Sequence, residues 1–461
     1  MRQIPRVLIA GTNSGCGKTT VVCGILAALK QIGYKAASCK CGPDYIDPMF
    51  HSQVFGIPSQ NLDLFFSSKE QVNYLLAKNG KEAEITVIEG AMGFYDGMQM
   101  DSPKASSYDV AKQTDTPVVL VVNAKGMALS VISIIKGFLE FQNDHTIKGV
   151  ILNRVTKMTG KMLTEVIERQ LPIKVYGCIP DLPEFHLSSR HLGLVTPFEL
   201  EKLQKDLEKL GEIIRECVDM EGLVALAKSA SEVSDEIPKE WKEHLQEKPG
   251  KGIRIAVAWD KAFCFYYKEN LNLLETLGCE LVYFSPLKDK SLPLNVDAVI
   301  LGGGYPEVYA RELSKNTELL EELKENLTKG IPCMAECGGF MYLHEELEDE
   351  NGISYPMVGV IQGKVKNQKK LVRFGYATLY HNKDNPYLPA GETIQAHEFH
   401  YWDSTNNGES FLAVKPSGKR SWLCGHGTDS LLAGYAHLYY PSNIKVALRF
   451  LEQCKAQQEK E

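Results

Sequence analysis

The sequence predicts an α/β protein with two doubly wound domains, each built on a parallel sheet. Continuous apolar runs alternate with amphipathic helical patterns over two stretches, 1–197 and 251–461. Such runs, separated by helices, are typical of parallel strands that are covered on both faces. At 461 residues the chain is also longer than one ordinary domain.

The first domain starts with a strand, a glycine-rich turn and a helix. The helix has apolar residues at helical spacing and is closed by Gly33. Further apolar runs follow, each separated from the next by a helical pattern. The predicted strands cover 6–10, 85–89, 117–122 and 148–153.

The composition changes between residues 198 and 250. Paired charges at helical spacing lead into the sequence "EKPGKG", which predicts a helical connector followed by a linker. The alternation then resumes with "IRIAVAWD", "CELVYFSP" and "DAVILGGG", and a helix is expected from about 306 to 329. The region 251–461 is therefore expected to form a second doubly wound domain.

The net charge and the hydropathy of the chain exclude some classes of binding partner. The chain has 51 Lys and Arg residues against 58 Asp and Glu, a net charge of −7. This acidic balance argues against nucleic acid or an anionic membrane as the main partner. No apolar run reaches the length of about 20 residues that spans a bilayer, and no secretion-type segment opens the chain. We therefore expect a cytoplasmic protein with small-molecule substrates, and a homodimer stays open.

The twelve cysteines predict neither a metal site nor disulfides. The two close pairs, Cys39 with Cys41 and Cys333 with Cys337, are not followed by a second pair at zinc-like spacing. Scattered thiols in a cytosolic chain are usually small core residues.

The turn "AGTNSGCGKTT" after the first strand has the features of a phosphate-binding loop. Gly15 and Gly17 let backbone N–H groups turn inward, and Lys18 can reach the terminal phosphates. Thr19 offers a hydroxyl to Mg²⁺, and Thr20 follows it at the start of the helix. The loop predicts that the domain binds ATP and Mg²⁺.

Two further segments bring acidic groups to the same edge of the sheet. "KCGPDYIDPMFH" contains Lys40, Asp44 and Asp47, and "VIEGAMGFYDG" places Glu89 at the end of a strand. Carboxylates there can hold Mg²⁺ while Lys40 balances charge on a transferring phosphoryl group. We assign Asp44 and Asp47 to catalysis, and Glu89 and Asp47 to the metal. The alternative is that both aspartates cap a turn.

Two later strand ends predict the border of the nucleotide. Asn153 and Arg154 follow one strand, and Pro180 and Asp181 follow the next. Because ligands of parallel sheets lie at these ends, we expect Asn153 to contact the nucleotide.

Cys337 is the candidate nucleophile of the second domain. It lies between an expected strand and a helix, which is the arrangement of a nucleophile elbow. The amides of Gly303, Gly304 and Gly338 are candidate donors to an oxyanion. A thiol nucleophile also needs a base, and the candidates are His397, His400, His426 and His437.

"GGGYPE" and "AECGG" resemble the glutaminase domain of class I amidotransferases, in which a Cys–His pair releases ammonia from glutamine. "HEFHY" and "GYAH" resemble the cobyric and cobyrinic acid synthase branch of that class. The resemblance implies that His437 is the base and that His397 and His400 are structural or line the site. The usual H-x-E carboxylate is absent, because Tyr439 occupies its position, and the branch shares this departure.

The N-terminal half resembles dethiobiotin synthetase, whose phosphate loop also has its first glycine one place early. A partition-type ATPase would carry a signature lysine at the position of Asn13. The resemblance implies that ATP activates a carboxylate, and it adds Asp63 in "NLDLFF" as a metal candidate.

Over residues 5–440 the chain resembles the cobyrinate a,c-diamide synthase family, most specifically in "GPDYIDPMFH". The resemblance implies a carbon–nitrogen ligase with glutamine as nitrogen donor, which amidates two acetate groups of cobyrinic acid in cobalamin synthesis. A related methanogen enzyme amidates nickel sirohydrochlorin for coenzyme F430, and the motifs do not separate the two. A non-enzymatic, partition-like ATPase with an inactive glutaminase domain is the alternative of another class.

The same resemblance suggests contacts to a polyanionic macrocycle. Arg190 and His191 in "SSRHLGLV" and Arg373 in "VRFGY" can meet carboxylates, because Arg forms bidentate pairs with them. The alternative for each is a surface or interdomain ion pair.

Overall fold

The structure is a computed structural model that describes residues 1–185 and 197–460. The chain divides into two compact units, Met1–Pro238 and Lys239–Glu461. The predicted connector is therefore shared, with 198–238 in unit 1 and 239–250 in unit 2.

Unit 1 is built on a parallel sheet that, within the described residues, has seven strands in the order β3-β2-β4-β1-β5-β6-β7. The central strands are apolar and buried on both faces, as their sequences predict. The strands are β1 (Arg6–Gly11), β2 (Ala36–Cys41), β3 (Ser59–Leu62), β4 (Ile85–Glu89), β5 (Val118–Asn123), β6 (Ile147–Asn153) and β7 (Lys174–Ile179).

Helices cover both faces of this sheet, as the alternation of patterns predicts. They are α1 (Lys18–Gln31), α2 (Ile46–Phe55), α3 (Lys69–Gly80), α4 (Ser107–Gln113), α5 (Ser130–Phe141), α6 (Lys157–Gln170), α7 (Pro197–Cys217) and α8 (Met220–Lys228).

Helix α7 belongs to unit 1 because its apolar residues join the core under α1. Leu207, Leu210 and Ile214 are buried there. A Cβ at Gly24 of α1 would lie 2.5 Å from Ile214, so the two helices pack closely. From Lys205 onward the charged side chains of α7 are exposed or half-buried, on the outer face of an amphipathic helix.

Unit 2 contains a parallel sheet with one antiparallel edge strand, in the order β20-β21-β11-β10-β8-β9. The strands are β8 (Arg254–Ala258), β9 (Glu280–Phe284), β10 (Ala298–Leu301), β11 (Cys333–Glu336), β20 (His426–Gly427) and β21 (Leu431–Gly434). Its helices are α9 (Lys239–Glu247), α10 (Lys268–Thr276), α11 (Ala310–Ser314), α12 (Thr317–Thr328), α13 (Gly338–Tyr342) and α14 (Ile444–Gln458). The single helix expected over 306–329 is two helices, because Asn316 begins α12 and donates to the carbonyls of Pro286 and Asp289.

Two mainly antiparallel sheets also occur in unit 2, and the sequence did not predict them. One has the order β13-β12-β14-β17 and the other β19-β18-β15-β16-β22. Their strands are short and half-buried, with alternating burial. They are β12 (His344–Glu348), β13 (Ser354–Pro356), β14 (Ile361–Asn367), β15 (Arg373–His381), β16 (Thr393–His400), β17 (Trp402–Ser404), β18 (Phe411–Val414), β19 (Ser421–Cys424) and β22 (His437–Leu438).

No helix in the described part of the chain is both long and apolar enough to cross a membrane.

Candidate active sites

The turn between β1 and α1 has the backbone of a phosphate-binding loop. Gly15 and Gly17 have φ values of 78° and 98°, which residues with a side chain rarely adopt. A Cβ at Gly17 would lie 2.2 Å from Nδ2 of Asn153. That nitrogen donates to the carbonyl of Cys16 at 2.8 Å. Asn153 therefore supports the loop, while its direct contact with a nucleotide stays a prediction.

Lys18 lies across this loop. Its Nζ donates to the carbonyls of Asn13 at 3.2 Å and Met92 at 2.5 Å. Burial lowers the pKa of Lys18. Anionic phosphate oxygens are stronger acceptors for an ammonium group than neutral carbonyls are, so a bound phosphate can replace these partners.

The loop meets a buried cluster of charged side chains at the ends of β2 and β4. Oε1 of Glu89 accepts from Thr19 Oγ1 at 2.7 Å and lies 2.9 Å from Lys40 Nζ. Lys40 Nζ also lies 2.6 Å from Oδ2 of Asp47. The three ionic side chains are 7% exposed or less. The structure thus brings together four residues that the sequence assigned to phosphate and metal.

The cluster holds its charges by mutual attraction. Burial disfavours the charge on Lys40, but Asp47 and Glu89 outweigh this effect and raise the pKa of Lys40 well above its ordinary value. Burial likewise disfavours the charge on Asp47, and Lys40 outweighs it, so the pKa of Asp47 is lowered. Both groups therefore stay ionised near neutral pH.

His51 ends the segment "KCGPDYIDPMFH", and the sequence predicted no role for it. It is fully buried beneath the cluster, with Nε2 3.7 Å from Oε2 of Glu89. Its Nδ1 lies 3.1 Å from Ser38 Oγ, which in turn donates to Ser59 Oγ at 2.7 Å. His51 therefore lies behind the Glu89 carboxylate, on the side away from the phosphate loop.

Two predicted acidic residues have turn-capping roles in the structure. Oδ1 of Asp44 accepts from the amide of Ile46 at 2.9 Å, and burial followed by Asp47 raises the pKa of Asp44 to about 6. Oδ1 of Asp63 accepts from the amides of Phe65 and Phe66 at 2.7 and 3.1 Å. For Asp44 this contact is the turn-capping alternative that the sequence left open, and Asp63 caps a turn as well. Their catalytic and metal roles stay predictions.

The residues present fit one Mg²⁺ ion shared with a nucleotide, rather than an all-protein metal centre. Within the described ranges, no group of three or more His, Cys, Asp or Glu side chains could hold a metal by itself. Oε1 of Glu89 accepts from the hydroxyl of Thr19, so two oxygens of the kind that Mg²⁺ prefers lie together at the start of α1. Mg²⁺ commonly takes one or two protein oxygens and completes its shell with phosphates and water.

A cleft of about 390 Å³ opens beside the loop, between the ends of β6 and β7. Lys125 Nζ lies 2.7 Å from Asp181, whose other oxygen lies 3.6 Å from Arg154 Nε. The cleft is lined in part by Gly17, Thr20, Asn153, Arg154, Asp181 and Phe185. The strand ends expected to border the nucleotide are therefore brought together.

Cys337 occupies a nucleophile elbow in unit 2, as the sequence predicts. It follows β11 and begins α13, with φ of 47° and ψ of −102°. A positive φ on a non-glycine residue is strained and is found disproportionately at functional sites. Burial and the nearby Glu307 raise the pKa of Cys337, so the resting sulfur is a thiol.

His437 approaches this elbow from another sheet. It lies on β22, pairs with His397 of β16, and is 1% exposed. A Cβ at Gly303 would lie 2.3 Å from Cε1 and 3.2 Å from Nε2 of His437. Gly304 in turn lies beside Gly338, the residue after the nucleophile. Burial lowers the pKa of His437 to about 3, so the ring is neutral and can accept a proton.

The glycine amides near Cys337 differ in their availability. The amide of Gly303 donates to the carbonyl of Phe265 at 3.2 Å, so it does not point freely at a substrate. Gly338 N–H interacts with the sulfur of Cys337 itself. Gly304 and Gly338 are therefore the amides that retain the proposed oxyanion role.

The other three candidate histidines make contacts that are typical of structural residues or of residues that line a site. The ring of His400 stacks on Tyr435 at 3.8 Å, and its Nδ1 lies 2.6 Å from the carbonyl of Trp402. His426 Nε2 lies 3.2 Å from the carbonyl of Asn406. His397 packs edge-on against aromatic rings of β15.

Arg373 lies in a polar cleft of about 320 Å³ within unit 2. Its guanidinium lies over the ring of Trp422 at 5.0 Å. Glu398 is 1% exposed, has an oxygen without a hydrogen-bond partner, and acts electrostatically on Cys337. The cleft is lined in part by Arg373, Glu398, His400, Asp403, Trp422 and Tyr435. Arg190 and His191 lie outside the described residues.

Comparison with known proteins finds one matching domain family in each half of the chain. Residues 7–195 match the CobQ/CobB/MinD/ParA nucleotide binding domain, and residues 254–443 match the CobB/CobQ-like glutamine amidotransferase domain. A cobyrinate a,c-diamide synthase of Caldanaerobacter subterraneus subsp. tengcongensis is 42% identical, covering 97% of this chain and 98% of the relative. Enzymes of the same name from Clostridium tetani and Priestia megaterium are 40% and 37% identical, with coverage of 97% or more on both sides. The chain belongs to the cobyrinate a,c-diamide synthase family. Members of this family are glutamine-hydrolysing carbon–nitrogen ligases with a nucleotide-binding domain, which confirms the predicted fold and enzyme class and sets aside the non-enzymatic switch.

Proposed function

We propose that the chain uses ATP and glutamine to amidate the a and c acetate carboxylates of cobyrinic acid. The observation that carries this proposal is the pairing, in one chain, of a phosphate loop on a buried Lys–carboxylate cluster with a Cys–His elbow. The full-length relatives named for this reaction support it. A cytoplasmic enzyme is consistent with substrates of this kind.

Unit 1 activates the acceptor carboxylate. A carboxylate is a poor electrophile for ammonia at neutral pH, so its oxygen first attacks the γ-phosphorus of ATP, and ADP leaves. Lys18 binds the phosphate oxygens, and Lys40 offsets charge on the moving phosphoryl group. When bound, Mg²⁺ would be held by Thr19 and Glu89 and would neutralise phosphate charge. Asp44 and Asp47 are proposed to position the metal or the acceptor carboxylate.

Unit 2 supplies the nitrogen. The thiol of Cys337 gives its proton to His437 as the sulfur bonds to the side-chain carbonyl carbon of glutamine. The amides of Gly304 and Gly338 stabilise the resulting oxyanion. His437 returns the proton to the leaving nitrogen, the C–N bond breaks, and ammonia and a thioester form. Water then hydrolyses the thioester to glutamate, and ammonia displaces phosphate from the activated acetate.

The cleft around Arg373 holds the amino-acid end of glutamine. Arg373 is suited to its α-carboxylate, and the buried carboxylate of Glu398 is suited to its α-ammonium group. The amide of Cys337 donates to the carbonyl of Gly434 at 2.8 Å, and the next residue, Tyr435, lines the cleft, so the cleft and the thiol are neighbours. The macrocycle contact that the sequence suggested for Arg373 stays the alternative prediction.

The test separates the two half-reactions. Cys337→Ala is expected to abolish glutamine-driven amidation and to leave ammonium-driven amidation intact, whereas Lys18→Ala stops both. Cys178→Ala, a partly exposed thiol of unit 1, is the matched control. Loss of ammonium-driven turnover in Cys337→Ala would contradict separate activation and hydrolysis sites.

Mass spectrometry of the product identifies the substrate. Protein, ATP, Mg²⁺ and glutamine are combined with cobyrinic acid or, separately, nickel sirohydrochlorin. Two added amides on cobyrinic acid are expected. A clear preference for the nickel compound would move the enzyme to the F430 pathway, and no amide on either would refute a tetrapyrrole substrate.

A further inference from the structure

The base His437 requires an orienting group that the sequence does not supply at the usual place. A Cys–His pair works when one ring nitrogen faces the nucleophile and the other is held by a third group. Tyr439 stands two residues after the base, and its ring packs edge-on against Tyr267 at 5.5 Å. An orienting carboxylate for His437 therefore has to come from elsewhere in unit 2.

Glu336, the residue directly before the nucleophile, reaches the strand that carries the base. Its Oε2 lies 3.9 Å from Nδ1 of His437. Its Oε1 accepts a hydrogen bond from the amide of Leu438 at 3.3 Å. The carboxyl group thus contacts both residues of β22, although Glu336 and Leu438 are 102 positions apart.

The opposite edge of the imidazole faces the catalytic glycines. Cε1 and Nε2 lie against Gly303, and the same glycine loop lies beside Gly338. Nδ1 therefore faces the carboxyl group, while Cε1 and Nε2 face the glycine loop that runs beside Gly338. This is the polarity that a base needs, because a hydrogen bond at Nδ1–H leaves the lone pair on Nε2 to take the proton.

We infer that Glu336 is the positioning residue of His437, so that the nucleophile's strand supplies the orienting carboxyl group. This inference rests on the proposed glutaminase reaction. The separation of 3.9 Å is that of the free enzyme, and such contacts commonly shorten when substrate binds.

Tyr440 fixes the carboxyl group in turn. Its phenol hydrogen-bonds to Glu336, and its backbone amide donates to Oδ1 of Asn270 at 2.9 Å. Burial raises the pKa of Glu336 to about 8. When ionised, the carboxyl group can only accept, so it takes a hydrogen bond from Nδ1–H and selects the tautomer with a lone pair on Nε2. In the acid form, or as the side-chain amide of glutamine, the same group can donate to Nδ1 and select the other tautomer.

The test compares Glu336→Gln with the wild-type protein. Glutamine hydrolysis is followed as glutamate release, and ammonium-driven amidation is followed in parallel. The kcat for hydrolysis is expected to fall about 10- to 100-fold, the range of a lost orienting contact, while KM for glutamine stays within about threefold. Ammonium-driven amidation should not change. Glu318→Gln, at an exposed carboxylate of α12, is the matched control and should keep the full rate.

A double-mutant cycle separates positioning from a general effect on the fold. Because Glu336 acts through His437, adding Glu336→Gln to His437→Ala should lower hydrolysis no further. An equal loss in both backgrounds, or an unchanged kcat in the single variant, would overturn the inference. Should the wild-type protein itself release no glutamate, it is the proposed function that fails.

Discussion

Replacing Lys40 by methionine tests the buried charge cluster of unit 1. Methionine keeps most of the side-chain volume but leaves Asp47 and Glu89 without the cation that lies 2.6 and 2.9 Å away. Removing one partner of a buried ion pair costs about 3–5 kcal/mol. The cluster can limit that cost by binding one proton. At pH 7 protonation costs about 4 kcal/mol, since ordinary carboxyl pKa values lie about 3 units lower.

Because the cost of protonating a carboxylate falls as the pH falls, the destabilisation by Lys40→Met should depend on pH. In the wild-type protein the lowered pKa of Asp47 stabilises the fold at pH values above the pKa that Asp47 has in the unfolded chain. The raised pKa of Lys40 stabilises the fold at pH values below the pKa that Lys40 has in the unfolded chain. In the variant Asp47 has lost the cation that lowered its pKa, so this pKa rises and the deficit grows with pH. We expect Lys40→Met to lower the free energy of unfolding of unit 1 by about 4 kcal/mol at pH 7 and by about 1 kcal/mol at pH 5.

Hydrogen exchange in urea, read from peptides of β2 and β4 in the presence of EDTA, measures this difference. All four tryptophans lie in unit 2, so their fluorescence reports on that unit and serves as an internal control. Lys125→Met, at an ion pair whose side chains are 65% and 43% exposed, should cost less than about 1 kcal/mol. An equal deficit at pH 5 and pH 7, or no deficit, would refute the reasoning.

Three further substitutions test other contacts. Gly303→Ala places a Cβ 2.3 Å from Cε1 of His437, and should lower glutamine hydrolysis at least about 10²-fold in a glutamate-release assay while sparing ammonium-driven amidation. Arg6→Met removes a fully buried guanidinium that bonds to several backbone carbonyls, and should destabilise unit 1 by at least about 3 kcal/mol in the same exchange experiment. Glu392→Gln breaks a bidentate pair with Arg449. In the wild-type protein the hydrogen bonds of this pair lower the pKa of Glu392 to about 2. Its cost of about 1–2 kcal/mol at pH 7 should disappear as pH falls from about 4 to 2, as measured by tryptophan fluorescence during heating.

Features encoded in contiguous residues could be predicted from the sequence. The phosphate loop around Lys18 and the elbow at Cys337 are short segments between a strand and a helix, and their backbone follows from local glycine positions. Four of the seven strands described in unit 1 were predicted to within about one residue for the same reason, whereas β2, β3 and β7 were given no predicted range.

Features that depend on distant residues could not be predicted in this way. Glu336 and His437 meet only because β11 and β22 end at the same place, and nothing in the local sequence around either residue records this. Arg373 joins Glu398 through the pairing of β15 with β16, which the sequence did not reveal because the strands are half-buried. Helix α7 was assigned to a connector because its charged outer face dominates its composition, although Leu210 and Ile214 are core residues.

The nucleophile and the base of the glutaminase site lie on different sheets. Cys337 follows a strand of the parallel sheet, whereas His437 belongs to the antiparallel sheet through its pairing with His397. A small sliding movement between these sheets would change the distance from sulfur to imidazole while leaving each sheet's own hydrogen bonds intact. The alignment of the two sheets therefore sets the distance between the proposed nucleophile and its proposed base.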